Sequence, residues 1–249
     1  MKIDAILFDV NGTLIDILTN EDNMDVYRGM RNFFHYIGIN VHKTQLKNLY
    51  FQIMKEQRET SREKYPEFDA TGIWQKILDI HQNEHTQELA PETLHSLPKL
   101  LAQFYRTCTL QKKLKTYPGV HATLEELHKN YRMAVVTDGQ SAYALNELRA
   151  VELDHFFSPV IVSGYFGYRK PDPRIYLKAL ITLGVQPENA IYVGNDMYRD
   201  VWGPKQLGMK VVYFNSNQGD KQSKGSEPDY VIYQFPELIA AVNFLKNQP

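Results

Sequence analysis

The chain has 249 residues, 43% apolar and 23% charged, which excludes a disordered or fibrous protein and allows one large domain or two modest ones. Its 28 basic and 29 acidic residues give a net charge of −1, with no basic excess to hold a nucleic acid. A single cysteine, Cys108, excludes an internal disulfide and fits a reducing compartment. No apolar run approaches the ~20 residues that cross a bilayer, and Asp4 falls where a signal peptide would be apolar. These features predict a soluble, cytoplasmic protein with neither nucleic acid nor membrane as partner.

In chain order, residues 3–8 (IDAILF) form a short apolar run ended by Asp9 and then Asn11-Gly12-Thr13. From 17 to 115 no comparable run occurs. Apolar residues there recur at helical spacing: Tyr27, Met30, Phe33, Phe34 and Ile37, then Leu46, Leu49, Tyr50, Ile53 and Met54, then Trp74, Ile77 and Leu78, then a stretch over 97–105. Glycines or prolines at 38, 66, 72, 91 and 98 are read as breaks between helices. Four further apolar runs follow at 132–137, 159–163, 190–194 and 210–214, rich in Val, Ile or Tyr. Runs of that length without alternation suit strands buried on both faces of a parallel sheet. Helical stretches lie between them at 119–130 and 172–184, the second closed by Gly184. The polar segment 215–228 reads as a mobile surface loop, and Tyr230–Ile232 precedes a last helix over 236–245. The expected fold is α/β: a Rossmann-like parallel sheet with helices on both faces, built from 1–16 and 116–249, with a smaller helical domain from 17–115 inserted after the first strand.

Ligands of open parallel sheets bind beyond the carboxyl ends of the strands. The first strand supplies Asp9, Asn11 and Thr13 there, and the second Thr137, Asp138 and Gly139. The third leads to Arg169-Lys170-Pro171-Asp172, and the fourth to Gly194, Asn195, Asp196 and Asp200. Three carboxylates, a lysine and two hydroxyls on one rim suit a divalent cation beside an anionic substrate, since hard oxygen donors favour Mg²⁺ and ammonium and N–H groups favour phosphate.

The four segments FDVNGTL, VVTDG, YRKPDP and VGNDMYRD are similar to the four ordered motifs of the haloacid dehalogenase superfamily, most of whose members are Mg²⁺-dependent phosphatases. The resemblance spans nearly the whole chain, and the helical insertion sits where one class of that family carries its cap. It implies an aspartyl-phosphate on Asp9, with Mg²⁺ held by Asp9, the Asn11 carbonyl and Asp196, while Asp200 and Asn195 hold coordinated water. It further implies that backbone N–H groups at Gly12 and Thr13, the Thr137–Asp138 turn and Lys170 surround the phosphoryl oxygens of a small phosphorylated metabolite.

One position departs from the pattern. Where the family's phosphatases usually have an acid/base aspartate, this chain has Asn11, which cannot exchange a proton near neutral pH. The same substitution permits a metal-independent 2-haloacid dehalogenase, a reading to which Tyr176 also belongs, or a catalytically weak protein that binds a phosphorylated ligand. Other signals are set aside. His81 to His85 spell HxxEH, but in a polar helical segment without a third ligand. Asn11-Gly12-Thr13 spells a glycosylation acceptor that a non-secreted chain would not use. Lys112, Lys113 and Lys115 are read as a hinge back to the sheet, and the aromatic residues of the insertion as its core. Arg28, Arg31, Arg58 and Arg62 are available to meet a second anionic group.

Overall fold

A computed structural model describes residues 2–223 and 225–247. Its centre is a sheet of six parallel strands: β1 (Ala5–Phe8), β2 (Arg132–Thr137), β3 (Val160–Val162), β4 (Ala190–Gly194), β5 (Lys210–Phe214) and β6 (Tyr230–Ile232), in the order β3-β2-β1-β4-β5-β6. Successive side chains of a strand point to opposite faces. Accordingly Ile6 and Phe8 join one apolar layer with Val120, Leu124, Leu238 and Leu245, whereas Ala5 and Leu7 join the other with Ile175, Tyr176, Ala179 and Leu180. The helices that supply these layers are α6 (Val120–His128) and α10 (Leu238–Lys246) on one face and α8 (Pro173–Leu183) on the other. Asp172 caps α8 by accepting from the Arg174 N–H, Pro173 occupies its first turn, and Gly184 ends it at φ 64.

The helical region between β1 and β2 comprises α1 (Met24–Tyr36), α2 (Lys43–Thr60), α3 (Ala70–Ile80), the short α4 (Glu84–Gln87) and α5 (Pro91–Thr109). It buries its own apolar cluster, centred on Tyr27, Tyr50, Trp74 and Tyr105, with the Tyr50 and Tyr105 rings 4.4 Å apart. Two of the expected breaks lie instead inside helices: Gly72 in the first turn of α3 and Pro98 within α5. Pro98 is buried, so packing offsets the hydrogen bond its ring removes. After β2 come α7 (Ala144–Ala150) and, after β4, a π-helical turn over Met197–Trp202 that runs into α9 (Gly203–Lys205).

The two chain crossings between sheet and helical region run side by side. Ile15 bridges Thr116 and Thr19 bridges Leu110, both antiparallel, and Asp16 takes an ion pair from Lys112 at 2.6 Å and another from Lys115 at 3.7 Å. Those lysines therefore clasp the crossing rather than form a basic surface.

Candidate active site

β1 lies between β2 and β4, and its Phe8 pairs in register with both Val135 and Val193. The strand order reverses between β1 and β4, which makes their carboxyl ends the place where a ligand crevice opens. Asp9 leaves β1 there, its N–H bonded to the Val193 carbonyl. The turn that follows needs Gly12, at φ +88, because a Cβ would also meet the Asn195 Nδ2 at 2.3 Å. The N–H groups of Gly12 and Thr13 are committed to the Ile15 and Val10 carbonyls, so the turn uses the two N–H groups expected to cradle phosphate. The Thr13 hydroxyl is the group that faces the site, 3.2 Å from both Asp9 Oδ2 and Asn195 Oδ1.

Lys170 is the hub. Its ammonium lies 2.7 Å from Asp9 Oδ1, 2.7 Å from Asp200 Oδ1 and 3.1 Å from the Tyr192 hydroxyl, and the side chain is 2% exposed. Burial alone would lower its pKa, but the Asp200 and Asp9 carboxylates more than offset this and hold the ammonium charged. Burial raises the Asp200 carboxyl to about 6; the Lys170 ammonium opposes this shift and the Asp9 charge adds to it. Asp138 accepts from the Lys170 N–H at 2.9 Å and so fixes the loop that presents the lysine; burial raises its carboxyl too. Thr137 is buried as the last residue of β2 and does not line the cavity.

Of the three carboxylates expected to gather, Asp9 and Asp200 meet at Lys170, and the Asp196 N–H donates to Asp200 while the Asp196 carboxylate has partners of its own. Asp196 accepts from the Tyr198, Arg199 and Asp220 N–H groups and from the Arg199 guanidinium at 2.6 Å. Burial would raise the Asp196 carboxyl, yet Arg199 and these N–H donors hold it below the usual range. Among the described residues no three acidic, histidine or cysteine side chains form a group able to hold a metal ion, which applies equally to His81 and His85. A hard divalent cation nonetheless finds a suitable donor chemistry here. Asp9 and Asp200 offer carboxylates, Asn195 an amide oxygen, and Asn11 Oδ1 is buried without any hydrogen-bond partner.

The cavity over these groups measures about 170 Å³ and is lined by Asp9, Asn11, Asp138, Lys170, Asn195, Arg199, Asp200, Gln218 and Gly219. Not one of these side chains is apolar. Arg199, Gln218, Gly219 and the supporting Tyr192 were absent from the sequence-based site. Gln218 and Gly219 belong to the segment expected to be a mobile surface loop; in fact its Asp220 carbonyl accepts from the Met197 N–H at 2.8 Å, and Gln218 reaches Asp16. That segment follows the carboxyl end of β5, so the rim rule already applied to the other strands points to it. Of the four arginines considered, Arg28 pairs with Asp25 and Arg31 bonds Asn32 on the surface, and Arg62 is exposed. Arg58 alone faces a cleft that reaches Lys170.

A family profile described as haloacid dehalogenase-like hydrolase matches residues 6–214. A glyceraldehyde 3-phosphate phosphatase of Pyrococcus furiosus is 38% identical over 130 residues, 51% of this chain and 54% of that protein. The chain thus aligns with about half the length of that relative. A pyrophosphatase of Halalkalibacterium halodurans is 26% identical over 245 residues, 97% of this chain and 98% of that protein. Among solved structures, a phosphatase from Thermococcus onnurineus superposes with a TM-score of 0.60 at 23% identity, covering 96% of this chain and 98% of the other. A 2-haloacid dehalogenase from Pseudomonas syringae gives 0.70 at 20% identity, covering 97% and 99%. At such identities the two structures speak to the fold alone.

Proposed function

The chain belongs to the haloacid dehalogenase-like hydrolase family, and on that premise we propose that it is a Mg²⁺-dependent phosphatase of small phosphorylated metabolites, acting through Asp9. The observation that carries this reading is the predominantly polar, charge-rich lining of the cavity around Asp9 and Lys170. A phosphoryl group needs charge neutralisation and hydrogen-bond donors, which this lining supplies. The phosphatase names of the two relatives above support the same class of substrate.

In this reading the Asp9 carboxylate attacks phosphorus; the Asp–O–P bond forms as the ester P–O bond breaks, and water then splits the acyl phosphate to release phosphate and regenerate Asp9. Lys170 neutralises Asp9 as the two anions meet. The Thr13 hydroxyl orients the second Asp9 oxygen, and Asp138, which accepts from the Lys170 N–H, holds the loop that presents the lysine. Asp9, Asn11 and Asp200 would hold Mg²⁺, which when bound offsets the charge of the phosphoryl oxygens. Asp196 orients Arg199 over the cavity in place of the expected direct ligation. Asn11 supplies no proton to the leaving alkoxide, so alkyl esters turn over slowly and esters of acidic alcohols turn over best. The helical unit acts as a cap that excludes water.

Tyr176 does not favour the dehalogenase reading: its hydroxyl donates to the Arg199 carbonyl, and it is not among the residues lining the cavity. The single cysteine accords with a cytoplasmic setting, and no helix among the described residues is long and apolar enough to cross a membrane. The test is Mg²⁺-dependent release of nitrophenol from nitrophenyl phosphate, with its loss in Asp9→Asn. Chloride release from 2-chloropropionate without metal would select the dehalogenase instead, and neither activity would leave a phospho-ligand-binding protein.

A further inference from the structure

A second cleft of about 280 Å³ lies where the helical unit meets the loop carrying Lys170, and its lining includes Lys170 and Arg199, which also line the first cavity. Arg58 and Lys64 enter it from the helical unit, Arg169 and Arg199 from the sheet side. A short antiparallel contact holds the two sides together: Pro66 bridges Tyr168, Arg169 N–H donates to the Tyr65 carbonyl at 3.0 Å, and Glu67 N–H to the Gly167 carbonyl at 2.9 Å. The cleft is thus a built space with cations on both walls.

Part of its charge lacks a direct partner. Arg199 is paired with Asp196 and Lys170 with Asp9 and Asp200, whereas among the described residues Arg58, Lys64 and Arg169 form no ion pair within 4 Å and feel only the more distant carboxylates of Glu21, Asp172, Glu67 and Asp138. Just outside the cleft, by contrast, Arg174 is paired with both Glu63 and Asp172. Arg58 stacks on the Phe68 ring, 5.0 Å from its centroid, and its Nε is buried with no acceptor. A buried N–H without a partner costs free energy that an incoming acceptor restores. The Tyr65 and Tyr198 hydroxyls, hydrogen-bonded to each other at 3.3 Å, leave one further donor at the same cleft.

We propose that this cleft binds a second phosphoryl group on the substrate, so that the preferred substrates are short bisphosphates with one group over Asp9 and the other among Arg58, Lys64 and Arg169. The proposal rests on the phosphatase reading for its first group and adds the leaving-group chemistry. A phosphoryl group brings between one and two negative charges and three acceptor oxygens, which suits two guanidinium forks and an ammonium better than a single carboxylate does. Lys170 and Arg199 border both spaces, so in this proposal the two phosphoryl groups of one short molecule lie on either side of them.

The experiment compares three esters of one three-carbon scaffold at fixed Mg²⁺: propane-1,3-diol bisphosphate, 3-phosphooxypropanoate and n-propyl phosphate. The expected kcat/KM for the bisphosphate exceeds that for propyl phosphate at least tenfold, beyond the factor of two from its second cleavable end, with the carboxylate between. In the double variant Arg58→Gln/Arg169→Gln that ratio falls at least tenfold, mainly through the KM of the bisphosphate, and Arg58→Lys retains most of it. A bisphosphate no better than propyl phosphate, a carboxylate preferred over it, or a preference that survives the double substitution overturns the proposal. Failure of the catalytic reading is separable: if none of the esters nor nitrophenyl phosphate is hydrolysed, calorimetry with propane-1,3-bisphosphonate decides. Binding lost in the double variant then supports the subsite, and binding unchanged or absent in the parent refutes it.

Discussion

The Glu67 carboxylate accepts a 2.7 Å hydrogen bond from the Ser163 hydroxyl, joining the helical unit to the loop after β3 behind the Asp138 turn. Glu67 is only 9% exposed, and burial raises its carboxyl above the ordinary value, the Ser163 bond offsetting only part of this. A folded-state pKa above the unfolded one means that the native state holds the proton more tightly. The resulting stability is present in full below the unfolded value of 4.5 and is lost as pH rises through the folded one. Glu67→Gln keeps an acceptor for Ser163 and removes the titration. The difference in Tm between parent and variant is therefore expected to shift in favour of the variant as pH rises from 4.5 toward neutrality; a difference independent of pH would refute the assignment.

Lys170 holds Asp9 and Asp200 together, so Lys170→Met leaves two buried carboxylates facing each other. Removing one partner of a buried ion pair costs about 3–5 kcal/mol. Urea unfolding in the presence of a chelator is expected to show a loss of that order. Adding Asp200→Asn to the variant recovers part of it, because one of the two orphaned charges is gone.

Asn11→Asp supplies the missing proton carrier at a half-buried position on the cavity wall, where Asn11 Oδ1 has no partner. General acid–base catalysis contributes about 10²–10⁴-fold. The expected outcome is a rise in kcat for propyl phosphate of about 10²-fold or more, with a much smaller change for nitrophenyl phosphate, whose leaving group needs no proton. Steady-state kinetics on the two esters side by side checks it.

Arg106 of α5 donates to Glu147 of α7 at 2.5 Å, with both side chains largely buried and the guanidinium 4.8 Å from the Tyr143 ring centroid. Arg106→Met strands the Glu147 charge and is expected to cost about 3 kcal/mol in denaturant unfolding. The double variant Arg106→Met/Glu147→Met replaces the pair by apolar side chains and is expected to lie close to the parent. A double variant as unstable as the single one would show that the pair is needed for more than its charge balance.

How far the sequence discloses this site depends on what kind of information each residue carries. Asp9 and Asp200 were legible because unalternating apolar runs mark buried parallel strands, and a flush register brings the ends of β1 and β4 together; Lys170, on the loop after β3, was legible only through Pro171 and its place among the ordered motifs. The Arg199 partner of Asp196 was not legible, because the π-helical turn that delivers Arg199 to this carboxylate leaves no composition signal. Tyr192 reads as one more core residue of β4; only the tertiary fold reveals that its hydroxyl meets Lys170 and the Val136 carbonyl. The segment 215–228 has the polar composition of any solvated loop, and what orders its first half is its contact with Asp196, Met197 and Asp16. Gly72 and Pro98 were read as breaks because local propensity weighs against them, whereas the apolar cluster of the helical unit overrides it.

The paired crossings have a consequence for how such a protein can diversify. Since Ile15 and Thr19 leave beside Thr116 and Leu110, a tight turn could close the gap and leave β1 in register with β2. The intervening helices are therefore a cassette, exchangeable as one piece by recombination or by a protein engineer. The Asp9–Lys170–Asp200 cluster would keep its own mutual contacts while the specificity above it is rewritten, and any replacement would need to brace the Lys170 loop as Tyr65 and Glu67 do.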